Sequence, residues 1–226
     1  QQYLLHTAPY KETSALVTGL SMELGKIRFI AKGIRSEKNK YKGLAQTFTL
    51  LSTKLIGNGD LKSGVAMEGL ETTIPLTGTA LFCAMYCNEI LVRILPLEEP
   101  CPDVFETYQF VLKGLSENNP PEPILRGFEL FLLQELGAEY DFYYDYLSNQ
   151  TIEPDLYYQF ALEQGFYFSE QVSKQRSFRG ADLLAIADQS WNPESLQAAK
   201  RFCRLALAPW IGKKPLKSRE LFARQS

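Results

Sequence analysis

Histidine occurs once in these 226 residues, at His6. A histidine-dependent triad would have to use that residue, and no serine elbow of the G-x-S-x-G kind accompanies it. Cysteine is also scarce, at Cys83, Cys87, Cys101 and Cys203, with no C-x-x-C pair, so a zinc site of about four N/S ligands cannot be assembled. Cys83 and Cys87 lie four apart in an apolar helical pattern and read as small core residues; free thiols suit a reducing compartment. There is no G-x-x-x-x-G-K-[ST], so no ATP-driven step is indicated. Gly57 and Gly59 sit in a hairpin turn rather than between a strand and a helix, which argues against a dinucleotide site. The longest apolar run, Ala80 to Cys87, is far too short to span a bilayer, and no basic-then-apolar leader opens the chain. A soluble cytoplasmic protein is expected, and the start at Gln1 points to a few preceding residues. Internal repeats, low-complexity tracts and long linkers are also lacking.

What is there is charge, unevenly spread. The net charge is only −2, yet residues 43–199 hold eight basic residues against twenty-two acids. Residues 26–42 and 200–224 together hold fifteen basic residues and two acids. Two cationic blocks flanking an acidic middle point to a polyanion partner more strongly than the overall charge does. The first block, K-I-R-F-I-A-K-G-I-R-S-E-K-N-K-Y-K (Lys26 to Lys42), alternates cation and apolar residue before opening into a basic loop. Ile27, Phe29 and Ala31 fall on one face of a period-two strand, and Lys26, Arg28 and Lys32 on the other. Such a strand can pin itself to a core while offering charge to a phosphate backbone.

Residues 3–68 read as five short strands: Tyr3 to Ala8, Ser14 to Ser21, Lys26 to Lys32, Gln46 to Ile56 and Leu61 to Glu68, linked by turns. Five such strands suit a small closed barrel, because closure removes exposed edges. The oligonucleotide-binding (OB) barrel is one solution; an SH3-like barrel or an open meander fits the pattern almost as well. After Pro75 the period becomes helical. Ala80 to Leu95 forms one apolar stripe, and Val104, Tyr108, Val111 and Leu115 a second behind Pro102. Ile124 to Leu136 reads as a third helix, with Gly137 as its C-cap. Tyr140 to Phe178 is tyrosine-rich and irregular with some β character. Asn192-Pro193 caps a helix running to about Ala208. It carries Lys200, Arg201 and Arg204 on one face and leads into a tail holding Lys213, Lys214, Lys217 and Arg219. The fold class is therefore α+β, with a barrel over 1–73 and a mainly helical domain over 74–226 that contains the irregular segment 139–179.

Several segments are familiar in combination: P-Y-K-E-T-S (Pro9 to Ser14), I-A-K-G-I-R-S (Ile30 to Ser36), N-E-I-L (Asn88 to Leu91), P-E-P-I-L-R-G-F-E-L (Pro121 to Leu130), A-A-K-R-F (Ala198 to Phe202) and K-P-L-K-S-R-E-L-F (Lys214 to Phe222). Together, and in this order, they make the chain resemble the RecO family of bacterial DNA repair and recombination mediators over essentially its whole length. The resemblance implies an N-terminal OB barrel and a helical C-terminal domain. It implies a non-enzymatic, nucleoid-associated role: binding single- and double-stranded DNA, annealing complementary strands, docking on the acidic, Phe-ending tail of the single-strand-binding protein, and acting with RecR to load RecA. Many relatives carry a four-cysteine zinc module in the region matching Glu139 to Arg179. No cysteine stands there in this chain, so no zinc or other cofactor is expected.

DNA contacts are then expected from Lys26, Arg28, Lys32, Arg35, Lys38, Lys40 and Lys42, extended by Lys200, Arg201 and Arg204 and by Lys213, Lys214, Lys217 and Arg219. The motif match singles out Lys32 and Arg35. The two basic ends are expected to fold into one continuous cationic groove. Of the aromatic residues near the charge, Phe29, Tyr41 and Phe48, the first faces the core and Tyr41 is the candidate for base stacking. The helix beginning P-E-P-I-L-R is implied as the protein-tail site, with Arg126 as its cation and Leu125, Leu132 and Leu133 as pocket walls or plain core. Two other readings stay open. One is an RNA-binding barrel protein. The other is a nuclease holding Mg²⁺ on Asp141, Asp145, Glu153 and Asp155, against which an ordinary acidic loop stands as the simpler account.

Overall fold

A computed structural model of the chain describes residues 1–36, 46–57, 59–70, 73–173 and 176–223. The alternating N-terminal segment forms β1 (Gln2–Tyr10), β2 (Ser14–Ser21), β3 (Gly25–Ala31), β4 (Leu50–Ile56) and β5 (Lys62–Gly69). They close into a barrel of order β1-β2-β3-β5-β4, antiparallel except for the β3–β5 pair. Its interior is built from Leu4, Val17, Ile27, Phe29, Ala31, Leu51 and Met67, the inward set that the period-two pattern of β3 marks out. Phe29 is fully buried, and Gly64 of β5 makes room for it: a Cβ there would stand 3.0 Å from the ring.

One strand begins later than its β-formers suggest. The pattern places a strand from Gln46, but β4 starts at Leu50, because Phe48 sits in the left-handed region at φ 66° and interrupts extended pairing.

The helical stripe after Pro75 becomes α1 (Gly78–Ile94), followed by α2 (Pro102–Ser116). Both belong with the barrel. Tyr3, on the barrel's outer face, packs its ring against Phe105 and Tyr108 at 5.5 and 5.4 Å. Buried Asn88 of α1 donates to the Leu5 carbonyl at 3.0 Å and accepts from the Tyr108 hydroxyl at 2.6 Å, so one amide ties the β1 backbone to both helices. By compactness the chain groups into two units, residues 1–121 with 213–226, and residues 122–212. The reason is physical: the first two helices use their apolar faces to cover the barrel.

The second unit contains α3 (Pro121–Glu135), a three-stranded sheet of β6 (Tyr157–Ala161), β7 (Gly165–Phe168) and β8 (Ser177–Arg179) in the order β7-β6-β8, then α4 (Gly180–Ala187), α5 (Pro193–Ala206) and α6 (Ala208–Ile211). The β character of the tyrosine-rich stretch is this small sheet, and residues 139–156 before it hold no named strand. Its core is a ring cluster on Phe202, whose centroid lies 5.3, 5.0, 5.1 and 5.5 Å from Tyr140, Phe142, Phe160 and Phe166. α5 starts on a capping box in which Asn192 accepts from Ser195 N–H and Ser195 accepts from Asn192 N–H. The tail returns to the first unit and ends in α7 (Ser218–Ala223), packed on α1. No helix of the described residues is long and apolar enough to cross a membrane.

Candidate nucleic-acid interface

Antiparallel register puts facing residues of neighbouring strands on the same side of a sheet. Across β1, β2 and β3 the outward rows are Tyr3–Leu20–Lys26, then His6–Thr18–Arg28, then Ala8–Leu16–Ile30. The first row lies at the end of the barrel that the helices cover. Lys26 is accordingly half-buried, and its ammonium donates to the Val92 carbonyl at 3.0 Å, one of the carbonyls that α1 leaves open at its C-terminal end. Burial, and then the charge of Arg28, pull its pKa below the ordinary lysine value. Lys26 is thus committed to a helix end.

The remaining rows are open to solvent at their polar positions. Arg28 is exposed, and Lys32 and Arg35 follow, both exposed, in the turn after β3. The Arg35 N–H donates to the Thr13 carbonyl at 2.9 Å, which draws this turn against the β1–β2 hairpin. There Lys11 is exposed, with φ 52°, and its ammonium stands 5.5 Å from the Tyr10 ring centre. Two segments distant in sequence, P-Y-K-E-T-S and I-A-K-G-I-R-S, therefore meet and gather Lys11, Lys32 and Arg35 at one end of the face that carries Arg28. Among the described residues no ion pair involves any of these four. Lys62, Arg93, Arg126 and Arg179, by contrast, are each paired to a carboxylate. His6, Tyr10 and Lys11 were not legible as site residues in the sequence. The signal that could have found them is the hairpin register, which sets β1 beside β3 through β2. Lys38, Lys40, Lys42 and Tyr41 lie outside the described residues.

The tail cations join the same unit. The Glu89 carboxylate of α1 accepts from Lys217 N–H at 3.0 Å, Ser218 N–H at 2.8 Å and the Ser218 hydroxyl at 2.7 Å. Burial pushes its pKa up, but these hydrogen bonds and the one from Arg93 outweigh it and hold the carboxyl below its ordinary value. Arg93, 2.6 Å from Glu89, also donates to the carbonyls of Lys214 and Pro215. Lys213, Lys214 and Lys217 remain exposed, and Arg219 lies over the Tyr86 ring at 5.9 Å. A cavity of about 520 Å³ separates tail from barrel, lined by His6 and Thr7 on one side and Lys217, Ser218 and Leu221 on the other.

Lys200, Arg201 and Arg204 belong to the second unit. Arg201 is turned inward. It donates to the Ser177 carbonyl of β8 at 2.8 Å and stacks on Phe178 at 4.3 Å, with burial lowering its pKa. Lys200 and Arg204 are exposed, and they share their surroundings with Arg126 of α3: partial burial, then the charges of Arg204 and Arg126, lower the pKa of Lys200. Arg126 is only 5% exposed. Its Nη2 pairs with Glu129 at 2.9 Å, while Nε and Nη1 have no hydrogen-bond partner among the described residues. Leu125, Leu132 and Leu133 are buried.

No group of three or more His, Cys, Asp or Glu side chains among the described residues is placed to hold a metal ion. Asp145, considered above for Mg²⁺, is buried and accepts the N–H groups of Leu147, Ser148 and Phe168 at 2.7, 3.0 and 2.7 Å. Those bonds outweigh the effect of its burial and keep its pKa low. The carboxylate thereby covers the outer edge of β7.

Barrel order and closure, with helices laid over one end, define an OB-type barrel protein with an appended helical region. Family models for the Recombination protein O N terminal and C terminal match residues 1–72 and 75–220. The chain is 42% identical over 221 residues to the DNA repair protein RecO of Aliivibrio fischeri, covering 97% of this chain and 93% of the relative. It is 41% identical to that of Vibrio cholerae, covering 97% and 91%, and 40% identical to that of Psychromonas ingrahamii, covering 97% and 95%. The chain belongs to the RecO family.

Proposed function

We propose that this protein is a DNA repair and recombination mediator that works by binding and presenting strands, with no chemical step of its own. The observation that carries this reading is the cluster of Lys11, Arg28, Lys32 and Arg35 on the open side of the barrel, exposed and without a carboxylate partner among the described residues. Cations so placed neutralise phosphates of single- or double-stranded DNA and release their counterions. Screening two strands at once lowers their mutual repulsion and lets base pairing drive annealing. The exposed tail lysines extend the same charge on the first unit. The protein is a cytoplasmic, nucleoid-associated partner of RecR in loading RecA.

The second unit serves the protein partner. The exposed charges of Lys200 and Arg204, with the buried guanidinium of Arg126 adding its charge beside them, suit the carboxylates of the single-strand-binding protein's tail.

The test is strand annealing on DNA coated with single-strand-binding protein, with and without its acidic tail. Lys32→Glu with Arg35→Glu is expected to abolish annealing on bare and coated strands alike. Arg126→Met with Glu129→Leu, which removes the buried pair together, is expected to impair only the coated substrate, and only when the tail is present. Unchanged DNA affinity and annealing in the first variant would refute the barrel reading. Competition between matched DNA and RNA strands checks the choice of nucleic acid.

A further inference from the structure

We infer that the cavity between β1, α1 and α7 receives an unstacked nucleobase from a strand lying on the barrel face, and that it is the source of a preference for single strands. This rests on the reading of the β1–β3 face as a DNA-binding surface. The cavity volume, about 520 Å³, falls in the range that holds small organic ligands, roughly 300–1,000 Å³. Its position links it to the cations. His6, the first residue of the row His6–Thr18–Arg28, is also part of the cavity lining. Neighbouring strands are about 4.8 Å apart, so Arg28 lies about 10 Å across the sheet from His6. A strand whose phosphate rests on Arg28 has its next bases within reach of the opening.

The lining suits a flat, partly polar ring. Phe48, Leu81, Met85 and Leu221 supply apolar surface, and Thr7 and Thr47 bring hydroxyls that can meet the polar edge of any base. Glu89, also in the lining, already accepts hydrogen bonds from Lys217, Ser218 and Arg93, so its charge is balanced within the protein. Phe48 is the strained member, 5% exposed and held at φ 66°, a conformation that bulky side chains rarely adopt. Strain of that kind persists where the surroundings impose it and clusters at binding sites. Met85, 41% exposed, is an accessible apolar part of the lining. A paired base cannot reach the cavity without leaving its duplex, whereas a base in a single strand only has to unstack.

Met85→Trp fills the cavity from its exposed side without touching the barrel core, and Met85→Leu serves as the conservative control. The experiment compares binding of a single strand, a strand of abasic sugar-phosphate and a duplex, with 2-aminopurine in the single strand as reporter of unstacking. Wild type and Met85→Leu are expected to bind the normal single strand about tenfold more tightly than the abasic one and to brighten 2-aminopurine on binding. Met85→Trp should lose both effects while keeping duplex affinity and salt dependence. Equal affinity of the wild type for normal and abasic strands would overturn the inference, as would full retention of both effects in Met85→Trp. So would a Met85→Trp defect confined to RecR binding, which would assign the cavity to a protein side chain. The barrel reading fails separately, if Lys32→Glu with Arg35→Glu leaves all DNA binding intact.

Discussion

Salt dependence is the most direct measure of how many phosphates the barrel face neutralises. Each phosphate contact on a single strand contributes a slope of about −0.7 to the plot of log affinity against log salt. Four described cations, Lys11, Arg28, Lys32 and Arg35, stand exposed without a carboxylate partner, so their joint slope should be about −2.8. Raising salt from about 50 to about 200 mM should then weaken binding about fifty-fold through this face. Lys32→Gln with Arg35→Gln removes two contacts, which should bring that share of the slope to about −1.4 and the loss to about sevenfold. Fluorescence anisotropy on a short oligonucleotide over a salt series measures both. Lys26→Met is the matched control, because this lysine bonds the end of α1: the salt slope should stay the same while stability falls by about 1–2 kcal/mol. A double variant with an unchanged slope, or a Lys26 variant whose slope drops by about 0.7, would show that the division of β3 into a structural and a binding half is wrong.

Other outcomes follow from the same reasoning. Phe202→Ala should cost the second unit about 3–5 kcal/mol in chemical denaturation, since it empties the centre of the ring cluster. Arg126→Ala alone should cost about 3–5 kcal/mol by taking the guanidinium away from the Glu129 carboxylate, which is 1% exposed. Combining it with Glu129→Leu should restore most of the loss in the same assay. Glu89 has a folded pKa below its ordinary value of 4.5. Its contribution is therefore complete above about that pH and is lost as pH falls through the folded value. Protease sensitivity of the tail should rise over that acidic window in the wild type and be raised already at neutral pH in Glu89→Ala.

Barrel and helices were legible because their periods are strong. The alternation from Lys26 to Ala31 marks the inward residues of β3, and the stripe from Ala80 marks α1. Less legible was what depends on contacts between distant segments. The pattern of β3 does not distinguish Lys26 from Arg28, since only the docking of α1 separates the covered row from the open one. Likewise, Arg201 looks like its neighbours Lys200 and Arg204 on a helical wheel. Its inward turn is set by the open Ser177 carbonyl and the face of Phe178. The tyrosine-rich stretch showed only some β character because its strands, of five, four and three residues, are too short for a convincing period. The site residues Tyr10 and Lys11 emerged only through hairpin register.

The path of the backbone also bears on how the molecule is made. Residues 122–212 form an excursion within the first compact unit, whose final piece, α7, is held by Glu89 and Arg93 of a helix translated more than a hundred residues earlier. While the ribosome is still extending the chain, the barrel has only its own strands and first helices to rely on, and the faces of Phe82 and Tyr86 that later meet Phe222 and Arg219 stay bare. A chain that ends shortly before residue 213 and has been released from the ribosome should therefore hold a finished second unit and an unfinished first one. The order of completion is the reverse of the order of synthesis.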